Sequence, residues 1–297
     1  SGGNKIERQT TPNLTAGKDY TVRFKARWLA GSDLIMTRSW GHGIAKVNRL
    51  SVPPLGGTPG RRNSRFAESS GPVIASVEQS PPLPAAGEPV VVRARVSDPD
   101  GVAAVSVLSR LDGAADWSAS SLRDDGADPD VLAEDGVYSG RIEGMGSRGA
   151  VAEFYLEARD GAGFERAAPP DAPDRSYIYQ YDDAIAATAV PACRLILLNR
   201  DYQDLLNRSP MSNHHLPASL VYRGERIHHL AGLRYRGSPY LRRDQITGSR
   251  KGVRVRLSRE DPLMESVRIT LDEQEVDSTI QNDRLVRHLL QKAGGVP

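Results

Sequence analysis

The sequence predicts a mostly β, multidomain chain that closes on a smaller α+β unit. Three observations lead there. Apolar and polar residues alternate over many short runs, the period of strands with one face covered. Proline and glycine, 20 and 28 of 297 residues, gather between those runs as turn and linker signals. A sustained helical period appears only near the end, where Ile280, Leu285, Leu289 and Leu290 space out one apolar face. A chain of this length accommodates two or three domains.

Residues 1–68 read as β. TVRFKARWLA places Val22, Phe24, Ala26 and Trp28 on one face. LIMTRSWG, after Asp33, and IAKVNRLSV are two further strands, with a turn over Gly41–Gly43 between them. The phrase LTAGKDYTVRFKARW resembles the late strands of jelly-roll domains in exported bacterial proteins, carbohydrate-binding modules among them. The resemblance implies that residues 1–68 are the C-terminal strands of such a domain. Trp40, beside the glycine-flanked His42, is the carbohydrate candidate, because an indole face stacks on a sugar ring; Trp28 is assigned to the core. Pro53 to Gly71, dense in proline, glycine and serine and without a period, is a linker.

Residues 72–182 form a second β unit. VIASVEQS is a short strand followed by a proline-rich bend. Two strands then flank Asp98–Pro99–Asp100–Gly101, a turn signal, and VYSGRIEG and AVAEFYLEARD supply two more. The last of these stops at the turn Asp160–Gly161, and RSYIYQY closes the sheet. Short strands at turn-separated intervals are the signature of an immunoglobulin-like sandwich. The phrases VSDPDGVAAV and YLEARDGAG resemble bacterial Ig-like modules that space other domains apart. Within this unit RDDGADPDVLAEDGVYSG concentrates carboxylates, and Asp124, Asp128 and Asp130 are candidate calcium ligands as hard oxygen donors. The run does not match an EF-hand loop, and Asp and Gly also build ordinary turns.

The third unit spans 192–297, after a connector over Asp183–Pro191. Leu195–Leu198 is a strand, Asp201–Leu206 a short helix, and Leu220–Tyr222, Leu233–Arg236, Val253–Leu257 and Val267–Leu271 are strands. A helix starts after Asp277 or Ser278, either of which can cap it, and stops at Gly294 and Gly295. An arginine–glycine turn, Arg236–Gly237–Ser238, follows one strand, and a basic pair, Arg250–Lys251, opens the next. Asp277–Ser278–Thr279 begins the helix, and Ala293, Gly294, Val296 and Pro297 close it. This order resembles the spore-coat protein H (CotH) kinase family over the last third of the chain.

The resemblance implies a kinase-like N-terminal lobe with an α+β fold, ATP and magnesium as cofactors, and phosphate transfer to a protein acceptor outside the cell. It implies that Lys251, assisted by Arg236 and Arg250, contacts the nucleotide phosphates, and that the catalytic and metal-holding aspartates lie beyond Pro297. The chain is thus expected to be a fragment of an exported bacterial protein, missing both ends and inactive alone. Two departures stand out. Asn282–Asp283 replaces the family's arginine–asparagine pair, and no glutamate lies between Thr279 and Ala293 to pair with the lysine. The alternative is a non-catalytic surface adhesion or polysaccharide-binding protein with a degenerate kinase-like scaffold.

Other classes are disfavoured. The net charge of +2 gives no global field; the basic excess is local, after Arg194. Arg254 and Arg256 share one strand face, which either lines a phosphate cleft or is solvated. The basic stretch contains no nucleic-acid module, and no run approaches the length of a membrane span. The histidine pairs His214–His215 and His228–His229 each offer at most one ligand to a site, since strand neighbours point apart. One cysteine, Cys193, precludes an intrachain disulfide.

Overall fold

The computed structural model describes residues 15–21, 23–26, 32–38, 45–51, 71–182, 192–208, 212–236, 252–271 and 292. They fall in two compact units, one within residues 6–68 and one that begins at Ser69. Both are β, as the alternation predicts. Among the described residues no helix is long and apolar enough to cross a membrane.

The first unit contains one antiparallel hairpin, β1 (Leu34–Arg38) and β2 (Ala45–Arg49), with Leu34 facing Arg49. Arg49 and Asp33 form an ion pair at its open end. The expected strand over Thr21–Ala30 is not found in its described part: Thr21 and Arg23–Ala26 lie outside any ladder, and Phe24 is exposed. Alternation marks a face that can be covered, but a strand also needs a neighbour to satisfy its amides. Trp28 and Trp40 lie outside the described residues.

The second unit opens with a two-sheet sandwich. One sheet has the order β3 (Val73–Ser80), β4 (Val90–Ser97), β7 (Val137–Ile142). The other runs β10 (Tyr177–Gln180), β8 (Val151–Asp160), β5 (Val102–Leu111), β6 (Ser118–Leu122), with β9 (Glu165–Ala168) also paired to β8. All pairings are antiparallel. Alternate residues of β4, Val90, Val92, Ala94 and Val96, point inward and meet Val105, Val107, Phe154, Leu156 and Tyr179 from the facing sheet. β6 and β9 escaped the sequence reading because SASSL and ERAA carry too few apolar residues to show a period.

A five-stranded antiparallel sheet follows, in the order β11 (Cys193–Ile196), β12 (Leu216–Tyr222), β13 (Arg226–Tyr235), β14 (Val253–Arg256), β15 (Arg268–Leu271). Helix α1 (Asn199–Asn207) lies between β11 and β12 and buries Leu205 against one sheet face, with Leu216, Leu220, Leu233 and Val255. The helix expected after Asp277 lies outside the described residues except for Lys292, which is helical.

The other face of this sheet is joined to the sandwich through a core of its own. Ile196, Leu198 and Val221 are buried with Ile178 of β10. His229 stands edge-on to Phe154 and Tyr177. Arg175 donates to the Leu230 carbonyl at 2.8 Å, and the Asn199 amide donates to Asp112 Oδ2 at 2.6 Å. The sandwich is therefore packed against its neighbour and not a loose spacer.

A β-bulge sets the phase of β13. Ala218 faces Ala231 and Leu220 faces His228, so β13 carries one extra residue across that interval. Leu230 takes up the bend at a φ of 53°. As a result His228, Ala231, Leu233 and Tyr235 all share the buried face, across an interval where strict alternation would have divided them.

Candidate functional site

Cations collect on the half of the third sheet that lies away from β11. Val253, Val255 and Leu233 point to the α1 side, so alternation turns Arg234, Arg254 and Arg256 the other way. The register sets Arg234 opposite Arg254, and Arg256 opposite Arg268. Arg236 extends the row: its amide donates to the Gly252 carbonyl at 3.0 Å. Its side chain lies over Gly252, where a Cβ would come within 2.7 Å of Arg236 Cδ. His215 lies against Gly232, where a Cβ would meet His215 Cβ at 2.9 Å. Two missing side chains thus make room for two long or aromatic ones. Arg208, the C-cap of α1 on the opposite face, lies at the end of the sheet, its Nη1 donating to the His214 carbonyl at 2.9 Å.

Like charges facing each other across strands repel. Burial holds Arg208 and Arg234 below the usual arginine range, and for Arg234 the guanidinium groups of Arg254 and Arg208 add to the effect. On Arg208, Asp204 and Tyr235 act in the opposite sense. His215 is pushed down to about 4, by burial first and then by Arg234, Arg256, His214 and Arg208. It is neutral at pH 7. Among the described residues no carboxylate forms an ion pair with Arg208, Arg234, Arg254 or Arg256. Arg208 Nε and Nη2 are buried with no hydrogen-bond acceptor. Planar guanidinium donors without acceptors are suited to oxyanions, which accept several N–H bonds at once.

Of the residues expected to meet nucleotide phosphates, Arg236 is on this face, while Lys251 and Arg250 lie outside the described residues. The carbohydrate candidate Trp40 also lies outside them. Arg208, Arg234, Arg268 and His215 were missed in this role. Arg254 faces Arg234 only because of the strand register, which a single strand's period does not reveal.

The acidic loop uses its carboxylates on itself. Asp124 accepts from the Asp135 and Gly136 amides at 3.1 and 2.9 Å. Asp130 accepts from the Gly126 amide at 2.7 Å, and Asp128 pairs with Arg141. Among the described residues these three do not converge on one point; the group that does is Asp98, Asp100 and Asp160, whose donor atoms lie within 4.8 Å of one another. The β5–β8 register, Val102 opposite Asp160, folds the two turns together. This set offers three hard oxygen ligands of the kind calcium takes, though Asp160 Oδ1 also accepts from the Ala162 and Phe164 amides. The histidines separate as expected: His228 Nδ1 meets Asp261 at 2.9 Å, while His229 Nδ1 meets Ser219 Oγ at 3.2 Å.

No protein-family model matches the chain, and no curated protein matches it.

Proposed function

We propose that the third unit is the N-terminal lobe of a CotH-like atypical kinase, that it binds the phosphates of ATP, and that the sandwich before it is an immunoglobulin-like module of an exported protein. The observation that carries the reading is the hydrogen bond from the Arg236 amide to the Gly252 carbonyl. Gly252 directly follows Arg250–Lys251 in the sequence and Arg236 opens the Arg236–Gly237–Ser238 motif, so this bond joins the first residue of that motif to the residue next to the basic pair. Among the described residues, the five-stranded antiparallel sheet with α1 on one face supports such a lobe. The sandwich's two sheets, β3–β4–β7 and β10–β8–β5–β6, agree with Ig-like topology.

In this role the arginines neutralise and orient phosphate oxygens as fixed positive charge, with little reorganisation at the moment of binding. ATP would supply the phosphoryl group. No step through magnesium follows, because the described carboxylates that converge, Asp98, Asp100 and Asp160, belong to the sandwich.

The test is calorimetry with ATP and magnesium on the wild-type chain and on Lys251→Ala. A loss of about tenfold in affinity, equivalent to about 1.4 kcal/mol, is the expected outcome. ATP that binds equally to both, or to neither, overturns the reading.

A further inference from the structure

We infer that the arginine face of the third sheet is a binding site for a tetrahedral oxyanion of the phosphate class, held by Arg208, Arg234, Arg254 and Arg256 with His215 among them. The inference does not depend on the nucleotide reading; the same chemistry could come from free phosphate, a nucleotide or a phosphorylated protein.

Four observations converge. First, the register sets Arg234 opposite Arg254 and Arg256 opposite Arg268 on one face, like charges that destabilise a bare sheet, while Arg234 Nη1 donates to the Tyr235 carbonyl at 2.9 Å. Second, none of Arg208, Arg234, Arg254 and Arg256 is relieved by an ion pair among the described residues. Third, Arg208, at the end of the helix packed on the opposite face, holds the His214 carbonyl next to His215 and keeps two buried N–H groups, on Nε and Nη2, without an acceptor. A buried donor left unbonded costs about 1–3 kcal/mol, and an oxyanion reaching that end of the sheet would satisfy it. Fourth, Gly232 and Gly252 leave space that His215 and Arg236 fill on the same face, so the basic side chains lie close over the backbone.

The identity of the anion follows from geometry. Neighbouring strands are about 5 Å apart and alternate residues on one strand about 7 Å apart, so three or four guanidinium forks can reach one centre. A carboxylate presents two oxygens; a phosphate presents three or four and a second negative charge. Single-stranded nucleic acid is a poorer occupant. Its bases need aromatic platforms, whereas Tyr235, the aromatic residue between these arginines on β13, belongs to the core on the opposite side. His215, neutral at pH 7, can donate one N–H to the anion without adding to the repulsion.

The experiment uses the full chain in a buffer free of phosphate and sulfate. Inorganic phosphate is titrated in at constant ionic strength, with chloride as the control, while the His215 ring is followed by NMR. Saturable binding is expected, with the His215 pKa rising as the anion offsets the surrounding charge. Arg254→Gln should weaken binding at least about fivefold, one bidentate charged pair being lost. The exposed Arg256→Gln, which removes repulsion and leaves the fold intact, should weaken it as well, and Arg166→Gln on the sandwich should not. Parallel titrations with magnesium-free ATP and with a phosphoserine peptide identify the source, the tightest of the three being the one the site serves. Identical responses to phosphate and chloride overturn the inference, as does unchanged affinity in folded Arg254→Gln and Arg256→Gln. Phosphate binding that survives Lys251→Ala, with ATP binding no tighter than phosphate, would sink the nucleotide reading and leave this site standing.

Discussion

Acidification should loosen the union between the sandwich and the third sheet through His229. Its ring stands edge-on to Phe154 and Tyr177, with centroids 5.8 and 5.4 Å away, and its Nδ1 meets Ser219 Oγ. Burial, partly offset by Asp261 and the Ile178 backbone, pushes it from the ordinary 6.5 down to about 4; His228 adds a small push in the same direction. The sign follows from linkage. The unfolded chain takes up a proton near pH 6.5 and the folded chain only near pH 4. The folded state is therefore at full strength above pH 6.5 and loses stability as pH falls toward 4. At about 1.4 kcal/mol per pH unit the interval of about 2.5 units corresponds to about 3.5 kcal/mol at most; the residue as a whole is only partly buried, so about 1.5–3 kcal/mol is expected at pH 4. His215 titrates over the same range, so the comparison must isolate His229. His229→Phe keeps a ring between Phe154 and Tyr177 and cannot titrate. Urea melts at pH 7 and pH 4 should show the wild type losing about 1.5–3 kcal/mol more than His229→Phe. Equal losses, or a His229 ring that titrates above pH 6 by NMR, would refute the reasoning.

Three further predictions concern packing and polar burial. Gly146→Ala would place a Cβ 2.1 Å from the Tyr181 ring, a buried side chain with little room to move, and should cost about 1–3 kcal/mol in a thermal or urea melt; an unchanged midpoint would mean the loop shifts freely. Glu153 is buried between Arg110, at 2.8 Å, and Ser176, so Glu153→Gln should cost about 3 kcal/mol by leaving the arginine unpaired, and a loss under about 0.5 kcal/mol would mean Arg110 escapes to solvent. Arg175→Met should remove the bond to the Leu230 carbonyl, cost about 1–2 kcal/mol, and speed amide exchange on β12 and β13 more than on β4; uniform exchange changes would contradict a local role.

Most strands of the sandwich were legible because alternation met a turn signal, unlike β6 and β9. Val90–Ser97 and Val102–Leu111 flank Asp98–Gly101, and Val151–Asp160 stops at Gly161. The first unit misled because Thr21 and Arg23–Ala26 pair with no strand among the described residues. The candidate site was half legible: Arg236, Arg254 and Arg256 stood out as strand arginines, but their company did not. Arg208 comes from a helix end and His215 from a loop. The convergence of Asp98, Asp100 and Asp160 likewise depends on strand pairing between residues far apart in the chain. Turn chemistry is local and can be read from one segment; cross-strand charge is not.

The extra residue in β13 makes this strand unequal in its tolerance of genetic change. Substitutions at Leu230 alter one side chain on the seam between two modules. Loss of the Leu230 codon is a different event, because it removes the extra residue itself. His229 would stand alone opposite Ser219, and Ala231, Leu233 and Tyr235 would keep the buried face. In mutagenesis libraries, deletion of this codon should therefore be tolerated better than deletion within Val90–Ser97, where the residues after the gap would turn over and carry valines out of the core.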